Sequence, residues 1–464
     1  MESLQIDSLL SFTKSCFDGF ADKRTANLQY KMGDIVQSAL ALFSLKDSSL
    51  LAFNNRFAER EDNLLRIYKI TNCPSDTQMR QVLDQIKPIQ IERVHHQLIR
   101  RIEQAGALGE YEFFPGWKLV LLDGVEHFHS HKIHCDHCRT RHHKDGRVSY
   151  NHAMVVSVLA HPDKKEVLPI CVEAITNQDG QRKNDCELVA VQRLLHKLQT
   201  RYVDQGFIYV ADALYANGPF IESVLDRRQR FLIRVKRGSG AGYVVKCYEQ
   251  LAAGVSLEDV RKAYQNRKQF KSQGISRPQS AGPMLEEHWS SDDKYLYRWH
   301  YVNGLILNEE HPRLRVNYLR YEQYEAESGE LNKRFEWVTN IKLTAYNVEK
   351  IGRAGRCRWQ IENEAFNTLK NQDYHFEHNY GHGKKYLCTN FAQLMMMAFL
   401  LDQLQQHVNE LFQQTLSKRG AKKYLWEDIR SFFRTLPFSS MEMIYKAILY
   451  GVKVEYLVID PDSS

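Results

Sequence analysis

The sequence has few long, uninterrupted apolar runs. Its most apolar stretch, Phe391 to Leu401, falls short of the roughly 20 residues that a membrane-spanning helix needs, and it predicts a buried helix instead. The opening residues, Met1 to Asp7, lack the basic region and apolar core of a signal peptide. We therefore expect a cytoplasmic protein with no membrane partner.

A disulfide framework is also missing, because the nine cysteines are odd in number and irregular in spacing apart from one close pair. This usage favours reduced thiols, with metal binding by some of them. The charge is only mildly basic at +7, with 63 Lys and Arg against 56 Asp and Glu, so it permits binding to a polyanion without demonstrating it. With 464 residues, 43% of them hydrophobic, and only 11 prolines, the chain can bury large cores in about two to four domains.

Residues 1–112 are predicted to form a helical domain. Apolar residues recur there at helical spacing, and Pro74-Ser75-Asp76 is a typical helix start. Arg93, Arg100 and Arg101 would suit DNA phosphates, although a basic helix face is more often merely solvated. We treat this segment as a candidate DNA-binding domain.

Residues 113–237 predict strands and helices in the order β-β-β-α-β-α-β. Two of these strands end in an acid, namely Lys118 to Asp123 and Phe207 to Asp212. Neighbouring strands of one mixed sheet would place Asp123 and Asp212 close together. One such acid is usually an ordinary strand end or helix cap, whereas two in this order favour a metal-binding pair.

The loop at residues 127–152 is the densest cluster of metal-ligand residue types. It holds eight of the 19 histidines, together with Cys135 and Cys138. Two thiolates at this spacing are a typical half of a tetrahedral Zn²⁺ site, and the alternative is a pair of reduced thiols in a polar loop. The other ligands stay open, because five histidines are near enough in sequence: His129, His131, His134, His142 and His143.

The rest of the chain divides into three predicted segments. Residues 238–334 form a β-rich insertion with alternating Tyr and Arg and a loop at Ser272 to Gly282, and residues 386–464 form a helical region with a strand-like end at Val452 to Ile459. Between them, residues 335–385 complete the core with a helix that carries Arg358, Glu362 and Lys370. Taken alone, that helix is equally well interpreted as a solvated one with an i,i+4 ion pair.

Three short motifs in order resemble those of a known enzyme family. They are Val120 to Gly124, Val210 to Tyr215, and Arg358 to Glu362 followed by Lys370. Together they resemble the three acidic motifs of bacterial insertion-sequence DDE transposases, in particular the insertion-sequence-4-like family with a β-strand insertion before the Glu. Lys183 to Glu187 and Glu377 to Gly383 resemble motifs of a subgroup, and the resemblance covers roughly residues 115–385.

The resemblance implies an α/β fold with an RNase H-like catalytic core and a β-rich insertion, preceded by a helical domain and followed by C-terminal helices. It also implies DNA cleavage and joining, with two Mg²⁺ or Mn²⁺ ions held by Asp123, Asp212 and Glu362. Arg358 and Lys370 would bind DNA phosphates. The partners would be double-stranded DNA with terminal inverted repeats and target DNA, bound by a homodimer that associates with the nucleoid.

Two departures from the family pattern affect individual residues. Lys370 lies one residue farther from Glu362 than the family's usual spacing, so Glu364 is the alternative third acid. The family's tyrosine ahead of Arg358 is replaced by Gly355. Its DNA-binding role would pass to Tyr215 or Tyr380, with His378 and Asn379 near the transposon end.

Two other functions stay open. One is a nuclease of the same fold that does not join strands. The other is a domesticated DNA-binding protein without catalysis. The presence of Asp123, Asp212 and Glu362 disfavours the domesticated protein, because a non-catalytic descendant has no physical need for these acids.

Overall fold

The computed structural model describes residues 2–25, 29–55, 61–176, 186–253 and 283–452. The loop predicted at Ser272 to Gly282, nearly all of the strand-like stretch Val452 to Ile459, and the motif residues Lys183 to Asp185 lie outside these ranges.

The first part of the chain is helical, as its apolar spacing predicts. Helix α5 begins where the Ser75 Oγ accepts a hydrogen bond from the Gln78 amide at 3.2 Å. Helix α6 begins with Pro88. Proline is well tolerated in the first turn, because the amide hydrogens there have no partner within the helix. The helices of this part are α1 (Ile6–Asp18), α2 (Met32–Ser44), α3 (Leu50–Asn55), α4 (Glu61–Tyr68), α5 (Asp76–Leu83) and α6 (Pro88–Gln104).

One mixed sheet runs through the middle of the molecule. Its described strands follow the order β3-β4-β2-β6-β7-β11-β10-β9-β8, with β1 paired to β2 and β5 paired to β4. The strands are β1 (Glu112–Phe114), β2 (Trp117–Ser130), β3 (Arg139–His142), β4 (Val148–Ala160), β5 (Leu168–Ile175), β6 (Gly206–Ala211), β7 (Arg230–Arg234), β8 (Leu285–Ser291), β9 (Tyr295–Ile306), β10 (Arg315–Glu325) and β11 (Leu331–Thr339).

Five neighbouring strands form an RNase H-like core. The strands β5, β4 and β2 pair antiparallel, whereas β6 and β7 continue the sheet parallel to β2. Parallel pairing needs crossover connections, and these contain the helices α7 (Glu187–Arg201) and α8 (Gly218–Asp226). The fold class predicted from the sequence is confirmed.

Strand β2 is longer than the sequence predicts. It pairs with β6 only as far as Leu121 opposite Val210, but its pairing with β4 continues to Ser130. Asp123 therefore lies inside β2, just beyond the last residue paired with β6, and the prediction that it ends the strand is wrong. The physical reason is that the antiparallel partner β4 still satisfies the backbone after the parallel partner has turned away.

The β-rich insertion extends the same sheet. Strand β11 pairs antiparallel with β7, with Val338 opposite Ile233, and β10, β9 and β8 follow. The alternating aromatic residues pack across strands, since the Tyr321 ring lies 4.5 Å from Trp299 and stacks at 6.2 Å on Phe335. Helix α9 (Gly242–Ala252) precedes these strands.

After β11 the chain is helical again, and its longest described helix is buried from Leu387 to Gln405. Leu387–Val408 is long and apolar enough to cross a membrane by length and composition, yet the whole of its most apolar window is buried in the structure, against α2, α6 and β5. The helices are α10 (Val348–Cys357), a π-helical turn (Ile361–Phe366) that continues as α11 (Asn367–Asn371), α12 (Leu387–Val408), α13 (Glu410–Arg419), α14 (Lys422–Thr435) and α15 (Met441–Tyr450).

A buried ion pair joins the N-terminal and C-terminal helices. The Lys46 Nζ lies 2.5 Å from the Asp402 Oδ2, which also accepts a hydrogen bond from the Tyr374 hydroxyl at 2.5 Å. Lys46 also lies over the Trp426 ring at 3.7 Å. Burial lowers the pKa of Lys46, while Asp402 opposes that shift. Each charge therefore depends on the other.

We expect Asp402→Ala to lower the free energy of unfolding by about 3–5 kcal/mol, because it leaves the Lys46 ammonium buried without a counter-ion. Chemical denaturation would measure the change. The matched control is Glu442→Ala, which breaks the exposed pair of Glu442 with Lys446 and should leave the stability unchanged. Equal stabilities of the two variants would contradict the prediction.

Candidate active site

The parallel pairing of β2 with β6 brings two acids side by side. Leu121 is opposite Val210 in the register, so Asp123 and Asp212 stand at the same level two residues later. The Asp212 Oδ1 accepts a hydrogen bond from the Leu214 amide at 2.9 Å, and Asp212 thereby caps the short 3₁₀ turn Ala213–Tyr215. Both carboxylates are only partly exposed, and the Asp123 Oδ1 accepts a hydrogen bond from the Gly124 amide at 3.0 Å.

The third acid, Glu362, is linked to Asp123 by an arginine. The Arg358 Nη1 donates to the Asp123 Oδ2 at 3.2 Å, and its Nη2 donates to the Glu362 Oε1 at 2.5 Å. Glu362 lies in the π-helical turn Ile361–Phe366, a rare conformation that occurs often at functional sites. Ile361 and Phe366 are buried, so the opposite side of this turn packs into the core.

The alternative acid, Glu364, interacts with a different part of the molecule. Burial lowers the pKa of Lys422 in α14, and the Glu364 carboxylate partly opposes that shift. Glu362 is thus the glutamate that shares a guanidinium with Asp123. Its catalytic role stays a prediction.

A fourth carboxylate, Glu187, was not assigned a role from the sequence. It lies at the start of α7, where its Oε1 accepts a hydrogen bond from the Tyr215 hydroxyl at 2.6 Å. Its Oε2 would be 2.3 Å from a Cβ at Gly124, so the carboxylate lies against the backbone beside Asp123. The sequence signal that points to it is a glycine directly after the first acid, which leaves room for a neighbouring side chain.

The negative charge on each of these carboxylates makes ionisation of its neighbours less favourable. Burial raises the pKa of Asp123 to about 7, the Arg358 guanidinium opposes this, and Glu187 and Asp212 add to the increase. Burial also raises the pKa of Glu187, with Asp212 contributing in the same direction. A cation bound among them would relieve this repulsion.

The predicted DNA-binding residues fall into two groups. His378 and Asn379 are exposed, and Lys370 is exposed with an ion pair to Glu377 at 2.6 Å. Tyr215 and Tyr380, in contrast, are buried at 0% and 5% exposure. Their hydroxyls donate to the Glu187 carboxylate and, at 3.0 Å, to the Asp47 carbonyl. In this structure these two rings support the interior and offer no surface to DNA.

A groove beside Arg358 combines cationic and aromatic side chains. It has a volume of about 230 Å³, and Trp359 at its rim is 61% exposed. Cationic side chains suit phosphates, and aromatic rings suit bases. The residues that line it are Arg234, Lys333, Phe335, Trp337, Gly355, Arg356, Arg358 and Trp359.

The absence of the family's tyrosine at position 355 has a structural reason. A Cβ at Gly355 would lie 2.4 Å from the ring of Trp337, which is buried in β11 at 1% exposure. Helix α10 therefore packs against the extended sheet only because this position has no side chain. Trp337 fills the space that a tyrosine side chain would need.

The two predicted zinc ligands, Cys135 and Cys138, lie together in the β2–β3 connection. They meet His152 of β4 and His382 of the segment before α12, and one donor atom from each residue lies within 4.8 Å of all the others. None of the five histidines predicted as candidate ligands, His129, His131, His134, His142 and His143, is in this group. His382 could not be found by sequence proximity.

Comparison with known families identifies the class of protein. The family described as "Transposase DDE domain" matches residues 136–401, which is more than half of the chain. This protein therefore belongs to the DDE transposase family, a family of enzymes that act on DNA. The matched range contains Asp212 and Glu362, whereas Asp123 lies before it. No curated protein matches the chain.

We expect Gly355→Ala to lower the stability, because overpacking against Trp337 costs about 1–3 kcal/mol and exceeds the roughly 1 kcal/mol that alanine gains in a helix. Chemical denaturation would measure this. Gly109→Ala is the control, since a Cβ at Gly109 meets nothing within 4 Å. An unchanged or higher stability of Gly355→Ala would contradict the close packing of α10.

Proposed function

We propose that this transposase cleaves DNA at the ends of its own mobile element and joins those ends to target DNA. The observation that carries the proposal is the convergence of Asp123, Asp212 and Glu362, two of them level on parallel strands and the third linked through Arg358. The inserted strands before Glu362 support a place in the insertion-sequence-4-like group.

The chemistry of the donor set fits two Mg²⁺ or Mn²⁺ ions. Asp123, Asp212 and Glu362 offer hard carboxylate oxygens, which are the preferred ligands of these ions. The pKa of Asp123, raised to about 7 mainly by burial and further by its acidic neighbours, indicates a site whose negative charge one arginine does not fully compensate. When bound, such ions supply an activated oxygen nucleophile and charge stabilisation for in-line displacement at phosphorus.

The protein's own residues position these groups. Arg358 holds the Asp123 and Glu362 carboxylates at one place and lines the cationic groove, where its free N–H donors suit a phosphate. Lys370 can exchange its exposed and therefore weak pairing with Glu377 for a DNA phosphate. His378 and Asn379 lie on the exposed segment that follows.

Glu187 acts, in this proposal, as a positioning residue. Its carboxylate lies against Gly124 and is fixed by the buried Tyr215 hydroxyl. Its own negative charge raises the pKa of Asp123 and adds to the charge that a divalent ion would compensate. Tyr215 thereby contributes to the site through Glu187.

The substrate proposed is double-stranded DNA with terminal inverted repeats, followed by target DNA. Bringing two ends together requires two active sites, so we propose a homodimer in the synaptic complex, by analogy with the fold class. Such a protein would work in the cytoplasm, on the nucleoid. A nuclease without strand joining is the second candidate, since the same acids serve both reactions.

The test uses purified protein and a plasmid that carries the genomic DNA flanking the reading frame. We expect Mg²⁺-dependent nicking at inverted repeats and a loss of at least about 1,000-fold in Asp123→Asn, Asp212→Asn and Glu362→Gln, because several kcal/mol of transition-state stabilisation are removed. Glu364→Gln is the matched control and should keep its activity.

Gel-shift measurements should show that the three inactive variants still bind the same DNA. Retained cleavage by Asp123→Asn or Asp212→Asn would sink the proposal, and loss of cleavage in Glu364→Gln alone would exchange the roles of the two glutamates. Efficient cleavage with no joined product would favour the nuclease.

Glu187→Gln should weaken Mn²⁺ binding by about 10–100-fold, the range typical of groups that orient metal ligands. Calorimetric titration with Mn²⁺ measures this without DNA. Glu222→Gln serves as a control on a neighbouring helix, where the glutamate contacts His311 instead. Unchanged Mn²⁺ affinity in Glu187→Gln would rule out the positioning role.

A further inference from the structure

Four ligand atoms from distant parts of the chain converge on one buried point. The His152 Nε2 lies 3.4 Å from the Cys135 Sγ and 3.3 Å from the Cys138 Sγ. The His382 Nε2 lies 3.2 Å from the Cys138 Sγ and 3.2 Å from the His152 Nε2. The two Sγ atoms are 4.0 Å apart.

These separations, 3.2–4.0 Å for five of the six pairs of donor atoms, are close to those of a tetrahedral site. With Zn–N bonds of about 2.0–2.1 Å and Zn–S bonds of about 2.3 Å, the donor atoms of a Cys₂His₂ zinc site lie roughly 3.3–3.8 Å from one another. Three of the four residues are nearly inaccessible, at 3% exposure for Cys138, 2% for His152 and 7% for His382. Such burial excludes competing water from the centre of the cluster.

The surroundings of His382 favour a metal further. Its Nδ1 lies 3.0 Å from the Gly383 carbonyl oxygen, to which only a protonated Nδ1 can donate. The neutral ring then carries its lone pair on Nε2, the atom that faces the thiols. Histidines that bind a metal through one ring nitrogen usually donate a hydrogen bond from the other, and this bond orients the ring.

We propose that Cys135, Cys138, His152 and His382 bind one structural Zn²⁺ ion. Two thiolates and two imidazoles in tetrahedral arrangement are typical of zinc, and four protein ligands leave no open position for catalysis. The site is distinct from the carboxylate cluster in its ligands. It does not depend on transposition, so its test stands apart from the test of the proposed function.

The ion would fix the position of the segment that follows the π-helical turn and helix α11. This segment carries His378 and Asn379, and its His382 would be tied to the β2–β4 region of the sheet. Just after His382, the Asp84 carboxylate accepts hydrogen bonds from the backbone amides of residues 384–387 at 2.9–3.1 Å. Gly383, with φ of +70°, lies between the two attachments.

The experiment measures zinc in the purified full chain by plasma mass spectrometry. We expect one zinc per chain in the wild type and loss of zinc in Cys138→Ser and in His382→Ala. His134→Ala, an exposed histidine of the same loop, and Cys16→Ser, a thiol outside the cluster, should keep their zinc. Zinc retained in both ligand variants would overturn the proposal.

A second measurement needs no substitution and therefore does not depend on the variants folding. Exchange of the bound ion for Co²⁺ should give the absorption of a tetrahedral cobalt–thiolate centre. Removal by a chelator should release the backbone at the exposed residues Lys384 and Lys385, so that trypsin cleaves there, with protection restored by Zn²⁺ and not by Mg²⁺. A metal-free wild type after growth with added zinc, or a Cys135–Cys138 disulfide in its place, would refute the site.

Discussion

The arrangement of the site depends on the parallel pairing between β2 and β6. This pairing fixes the level of Asp123 against that of Asp212, because a shift of one residue would turn one of the two side chains to the opposite face of the sheet. The pairing ends at Leu121 and Val210, so both acids lie where the two strands separate and side chains from other elements can enter. Glu187 and Arg358 occupy that opening.

The close approach of these acids concentrates negative charge in the site. Burial and neighbouring carboxylates hold the pKa of Asp123 near 7, and Arg358 compensates only part of the charge. The same guanidinium sets the position of Glu362, so one side chain both moderates the repulsion and connects the sheet to the π-helical turn. A bound cation would lower the electrostatic energy of such a site, because it would compensate the negative charge that Arg358 leaves.

The sequence predicted the features that are local or periodic. The succession of strands and helices along the catalytic core and the acids after two apolar runs follow from patterns within about a dozen residues. It missed what depends on tertiary structure. The extension of β2 beyond Asp123 requires knowledge of its partner β4, and the burial of Tyr215 and Tyr380 requires knowledge of what packs around them. His382, separated by 244 positions from Cys138, has no local signal that links it to the Cys pair.

The separation of these residues along the chain has a consequence for synthesis. Asp123 precedes Glu362, and Cys138 precedes His382, by more than half of the 464-residue chain, so neither cluster can close while the ribosome is still making the β-rich insertion. At about 5–20 residues per second the interval between Asp123 and His382 is roughly 10–50 s. Once the insertion has been made, the nascent chain contains two of the three acids and three of the four Cys/His residues. Neither group is complete until translation has passed Glu362 and His382.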